Sequence, residues 1–122
     1  MRKHRLRAGN SLLAIGMLVA VILASSACAG LAPDAPLGVA VTPRASGEIL
    51  LKWIPLPEAQ EYEILRREGV SGQYQVLGRM KRQASSLLNT GLKPRTTYFF
   101  KLRACNRFGC SVHSQEVSAE TR

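Results

Sequence analysis

Past residue 36 the sequence predicts an all-β domain, a sandwich or barrel of short strands. Two observations carry this: apolar residues alternate with a period of two, and turn residues punctuate the alternation at short intervals. A third sets the scale, since only about 95 residues follow the amino-terminal leader, enough for one small domain.

The leader, residues 1–27, reads as a secretory signal. Arg2, Lys3, Arg5 and Arg7 form a basic start without an acid, Leu12–Ala24 is apolar apart from one glycine, and Ser25-Ser26-Ala27 are small. The apolar run of 13 residues falls short of the roughly 20 that a membrane-crossing helix needs. A retained signal anchor is the rival, because Ser25–Ala32 is mild enough to extend the run. Leu23-Ala24-Ser25-Ser26-Ala27-Cys28 resembles a bacterial lipobox, in which the cysteine is lipidated and becomes the first mature residue. Ser26 and Ala27 fit that pattern; Ser25 stands where an aliphatic residue is usual, which leaves ordinary cleavage near Ala27 or no cleavage as alternatives. Residues 28–35 then form a short tether, with Ala29–Pro36 polar and proline-broken. Fully extended, it reaches about 25 Å.

Four of the 17 Lys and Arg lie in the leader, so the mature part carries 13 against 8 acids, a net charge of +5. Such a balance suits anionic lipid, polysaccharide or nucleic acid, and equally serves solubility. No block of five like charges occurs, so no polybasic arm is expected.

The strands follow in order. Ile49, Leu51 and Trp53 share one face of Ile49–Trp53. Tyr62 and Ile64 share one face of Tyr62–Leu65. In Tyr98–Ala104, Tyr98, Phe100, Leu102 and Ala104 alternate with Phe99, Lys101 and Arg103. Between them lie Pro43–Gly47, Pro55-Leu56-Pro57, Gly69–Gly72, Gly91–Pro94 and Phe108-Gly109, all turn signals.

The order Pro36-x-x-Val39, Leu51-x-Trp53-x-Pro55, Tyr62-x-Ile64, Gly72-x-Tyr74, Leu92-x-Pro94-x-Thr96-x-Tyr98 and Ala104-x-Asn106-x-x-Gly109-x-Ser111 resembles a fibronectin type III domain. The resemblance implies a seven-stranded immunoglobulin-like β-sandwich over residues 36–122. It places Trp53 in the core on the second strand, and it makes Leu92 and Tyr98 a tyrosine corner whose hydroxyl bonds backbone a few residues upstream. His113 would stand in the last strand. The aromatic residues Trp53, Tyr62 and Tyr98 are thus core rather than a ligand platform.

Three cysteines remain to be placed. Lipidation of Cys28 uses one sulfur and leaves an even pair in an exported chain, which favours pairing. In the resemblance Cys105 ends the sixth strand and Cys110 begins the seventh, so the two flank a hairpin and a disulfide joins them. A metal alternative would add His113, but Cys-x4-Cys-x2-His has no fourth ligand nearby.

No catalytic constellation emerges: no Gly-x-Ser-x-Gly elbow, no phosphate loop, and one histidine, His113, outside the leader. Glu61 and Glu63 read as a solvated strand face. Neither a cofactor nor a metal is expected, and the protein reads as non-enzymatic. The candidate binding surface joins Leu65 and Arg67 of the third strand to Phe99, Lys101 and Arg103 of the sixth, extended by Arg107 and Phe108 at the hairpin tip. Exposed aromatics beside arginines are enriched at interfaces. The expected function is a membrane-anchored cell-envelope module that presents the domain to a protein or glycan partner, on the outer membrane if the envelope has two. An alternative is an electrostatic binder of acidic polysaccharide or nucleic acid through Arg66, Arg67, Lys101, Arg103 and Arg107, with nucleic acid the less favoured. Secretion without lipid and a signal anchor are the alternatives for location.

Overall fold

The computed structural model describes residues 30–122. The leader and Cys28 lie outside the described residues.

Eight strands build two antiparallel sheets: β1 (Ala40–Pro43), β2 (Ile49–Lys52), β3 (Glu61–Glu68), β4 (Gln75–Lys81), β5 (Ser86–Asn89), β6 (Thr97–Asn106), β7 (Gly109–Cys110) and β8 (Val117–Glu120). One sheet has the order β1-β2-β5; the other runs β4-β3-β6, with β7 and β8 both paired to β6. The eighth strand arises because the seventh of the expected sandwich is interrupted at residues 111–116. Across this break two serines complete the ladder: their N–H groups donate to the Ala104 and Leu102 carbonyls at 2.7 Å each, and their hydroxyls stand in for the missing acceptors. Ser111 Oγ accepts the Ala104 N–H and Ser114 Oγ accepts the Leu102 N–H, at 3.0 and 3.1 Å. Each hydroxyl then donates to the next residue's carbonyl, on Val112 and Gln115. The backbone groups of β6 are therefore satisfied although its edge partner has left the register. His113 falls within this interruption and is exposed, instead of continuing the last strand.

Period-two alternation explains the core. In β6 Tyr98, Phe100, Leu102 and Ala104 point between the sheets, where Ile49 and Leu51 of β2 and Tyr62 and Ile64 of β3 meet them. Trp53, just past the end of β2, is 4% exposed and stacks at a tilt on Tyr62, ring centroids 5.4 Å apart. Its location deep in the sandwich excludes it from any surface platform. The tyrosine corner is formed: Leu92 is buried, and the Lys93 N–H donates to the Tyr98 hydroxyl at 3.0 Å. Gly72 is required sterically, since a Cβ there would meet the Glu68 carbonyl oxygen at 2.1 Å.

Two outward positions depart from simple alternation. Cys105 is buried, its sulfur bonded to Cys110 across the hairpin. Glu63 is also buried, 5% exposed, which corrects the expectation of a solvated strand face. Arg79 Nη2 reaches it from β4 at 2.9 Å and Arg103 Nε from β6 at 3.0 Å.

Candidate functional site: the outer face of the β4-β3-β6 sheet

Register decides which candidate residues meet. In the antiparallel pairing of β3 with β6, Glu63 lies opposite Arg103, Leu65 opposite Lys101 and Arg67 opposite Phe99. All six share the outward phase, so Leu65, Arg67, Phe99, Lys101 and Arg103 form one continuous strip. Strand spacing puts directly opposed side chains about 5 Å apart, close enough for each pair to interact.

At one end of the strip a cation–aromatic stack is built. The Arg67 guanidinium lies 3.8 Å from the Phe99 ring centroid and 5.4 Å from that of Tyr74, while Lys101 Nζ lies 4.2 Å from the Tyr74 centroid. Tyr74 comes from the loop ahead of β4. Arg67 is further fixed by donating to the carbonyls of Gly69 and Val70 and by an ion pair with Glu116 at 3.4 Å. The Tyr74 hydroxyl also donates to Glu116.

The electrostatics follow from these contacts. The Tyr74 hydroxyl first, and then the charge and hydrogen bond of Arg67, hold the Glu116 carboxyl below the usual carboxylate range against the opposing effect of desolvation. Desolvation, then the bond to Glu116, pushes the Tyr74 phenol up. Hydrogen bonding to Tyr74 and the charge of Glu116 raise Arg67 further above its already high value. His113 is lowered by desolvation and by the cations Lys101 and Arg103.

At the other end of the strip, toward the β6–β7 turn, the charges close on themselves. Arg103 and Arg79 share Glu63, and Arg79 also reaches Glu61 at 2.9 Å. Arg66 belongs elsewhere. It lies opposite Phe100 on the inward phase, bonds Asn89 Oδ1 at 3.2 Å and covers the Tyr98 ring at the sandwich edge. That removes it from the cationic face on which the electrostatic alternative placed it.

Arg107 and Phe108 form a separate group at the far end. β6 and β7 are joined by a two-residue turn, Arg107-Phe108, closed by the Asn106 side chain, whose Oδ1 accepts the Phe108 N–H at 2.8 Å. The turn is exposed, with Arg107 held 4.7 Å over the Phe108 ring. Cys105 and Cys110 are directly opposed behind it, with Cα atoms 4.0 Å apart. The next pair is the hydrogen-bonded one, Ser111 N–H to Ala104 carbonyl, so the cysteines occupy the close-spaced type of antiparallel pair. With both sulfurs joined, neither thiolate is left for the metal alternative with His113. The Glu63 pairs separate this tip from the Phe99 stack, so the seven candidates make two surfaces rather than one.

These strands, this corner and this hairpin are one family's framework, and residues 34–120 match the family described as "Fibronectin type III domain". The chain belongs to the fibronectin type III family. Fibronectin type III domains of known structure share the architecture. The FN1-FN3 domains of chicken CNTN1 are 26% identical at a TM-score of 0.64, over 75% of this chain and 31% of that one. The structure named FN3tt is 29% identical at 0.65, over 75% and 97%. The fn3 domain of human contactin 1 is 28% identical at 0.63, over 77% and 82%. This chain thus spans less than a third of the length of the chicken fragment.

Three residues of the fibronectin type III sheet face escaped the sequence reading. Tyr74 was visible only as part of the family pattern, Arg79 lies on β4, which had no clear alternation, and Glu116 lies in an interruption no pattern marks. Their contacts span 42, 16 and 49 residues of sequence for Tyr74–Glu116, Arg79–Glu63 and Arg67–Glu116, so only pairing of the strands brings them together.

Proposed function

We propose that this fibronectin type III protein is a non-catalytic binding or scaffolding module, held at the cell envelope by lipid on Cys28, that engages a protein or glycan partner through the Phe99–Tyr74–Lys101 surface. The fold is one commonly used for binding and scaffolding and typically without catalysis. The observation that carries the reading is the packing of the Arg67 guanidinium on the Phe99 ring with Tyr74 beside it. A cation spent on ring faces and on Glu116 presents a rigid, partly apolar surface, with little side-chain entropy left to lose on binding.

The same observation disfavours the electrostatic alternative. Of its five cations, Arg67 and Arg103 are paired with carboxylates and Arg66 is turned to the sandwich edge. Lys101 and Arg107 remain, too few for strong binding by counterion release.

Crosslinking in intact envelopes, followed by purification of the full chain, tests the reading. We expect a partner that is captured by the native protein and lost with Phe99→Ala and Lys101→Ala. Capture unaffected by both substitutions would remove the sheet face from the function, and capture abolished by moderate salt would favour the electrostatic alternative. Anchoring has its own readout, a mass for the mature protein that places acyl chains on Cys28.

A further inference from the structure

The amino-terminal approach to the domain is docked on the hairpin. Asn106 Nδ2 donates to the Leu31 carbonyl at 3.0 Å and to the Glu58 carbonyl at 3.3 Å. Ala32 packs over Gly109, 3.7 Å from where a Cβ would stand, and Pro33 and Pro36 are buried. Leu31–Pro36 therefore adds no free reach. Three Cα steps separate Cys28 from Leu31, at most about 11 Å of chain.

That end of the sandwich also gathers a distinctive surface. The end of β2, the start of β3, the end of β4 and the β6–β7 turn all lie there, tied by the Gln60 N–H to Cys105 carbonyl bond and by the pairing of Glu61 with Lys81 and Cys105. Leu31 and Phe108 are exposed, at 78% and 52%. At the same end of the sandwich lie the exposed cations Lys52, Lys81, Arg82 and Arg107 and the exposed acids Asp34 and Glu58. Glu61 is matched by Arg79.

We propose that this pole is a membrane-contacting face, with Phe108 and Leu31 entering the headgroup layer and the cations of the same end meeting anionic lipid. The inference rests on the anchoring of Cys28 proposed above. An acyl chain on Cys28 holds the hairpin within a short distance of the bilayer, which greatly raises the local concentration of lipid at the tip. Exposed apolar side chains on the same end as lysine and arginine suit the interface between water and acyl chains. The disulfide and the Asn106 turn keep the tip rigid, so the contact sets the orientation of the domain. The Phe99–Tyr74 stack then lies toward the other end of the sandwich, away from lipid and open to a partner.

Tryptophan quenching by brominated lipid reads this directly. The F108W and V70W variants of the full mature protein are reconstituted in vesicles of brominated phosphatidylcholine and phosphatidylglycerol. Val70 is an exposed control at the opposite end of β3, about 25 Å away along the strand. Trp53 is buried and common to both variants. We expect quenching severalfold stronger for F108W than for V70W, and weaker when phosphatidylglycerol is replaced by brominated phosphatidylcholine. Equal quenching of the two variants overturns the face, and quenching indifferent to lipid charge overturns the role given to the cations. Mass spectrometry of the same samples separates the two readings. Lipid on Cys28 without F108W quenching leaves anchoring and removes the face. Quenching without lipid leaves the face and removes the anchor, and neither signal removes both.

Discussion

Glu63 lies directly opposite Arg103 across the β3–β6 pair, its Oε1 3.0 Å from Arg103 Nε, while Arg79 approaches its other oxygen from β4. One buried carboxylate thus serves two arginines on both neighbouring strands, and it fastens three strands on the solvent side of the sheet. It also divides the candidate surface, since the charges that meet at Glu63 are spent there.

Glu63→Gln should therefore destabilise the domain although the position faces outward. Removing one partner of a buried ion pair costs about 3–5 kcal/mol. Both arginines are more than a third solvated or close to it, at 59% and 34%, so screening reduces this to about 1–2 kcal/mol. Urea unfolding measures it, and a change below about 0.5 kcal/mol would show the pairs to be ornamental.

Trp53→Ala should cost about 3–5 kcal/mol, enough to unfold a domain of this size. Trp53→Phe should be far milder. The indole Nε1 is buried without a hydrogen-bond partner among the described residues, and phenylalanine leaves no such donor. Thermal melts of the two variants check the contrast; equal losses would mean that ring volume is not what the site requires.

Replacing Cys105 and Cys110 by serine should lower stability by about 2 kcal/mol, since the ring closed is short. Strand pairing should survive, because Ser111 and the Asn106 turn continue to hold the hairpin. Increased amide exchange confined to Asn106–Gly109 is the expected signature, and exchange spreading through β6 would contradict it.

Acidification should weaken the Arg67–Tyr74–Glu116 cluster. The folded pKa of Glu116 lies below its unfolded value, through the Tyr74 hydroxyl first and the Arg67 charge after it. Its contribution is fully present above the ordinary carboxylate range and is lost as pH falls through the lowered folded value. Stability measured against pH should fall less steeply in this window for Glu116→Gln than for the native chain. Identical slopes would remove Glu116 from the acid response.

The residues that made the fold legible are those whose partners are nearly all apolar. Tyr98, Phe100, Leu102 and Ala104 announce a buried face because any well-packed partner satisfies them, and the register then follows from burial. Leu92 and Tyr98 belong to the fibronectin type III pattern in the sequence, and that resemblance implied their corner. Glu63 was not legible. A strand carboxylate at an outward position looks the same whether it is bare or clasped, and Arg79 and Arg103 lie 16 and 40 residues away.

By itself, then, the sequence determined the fold class and the inward residues of β2, β3 and β6, because alternation and turn chemistry act over a few neighbouring residues, while the hairpin that carries Cys105 and Cys110 followed from the family resemblance. Tertiary structure alone decided that Arg66 leaves the outer face, that Glu116 and Tyr74 fix Arg67, that Ser111 and Ser114 complete a broken ladder, and that Asn106 holds Leu31 against the hairpin. Each of these is a directional contact between chain segments far apart in sequence. Direction comes from the placement of whole strands, which no local pattern encodes.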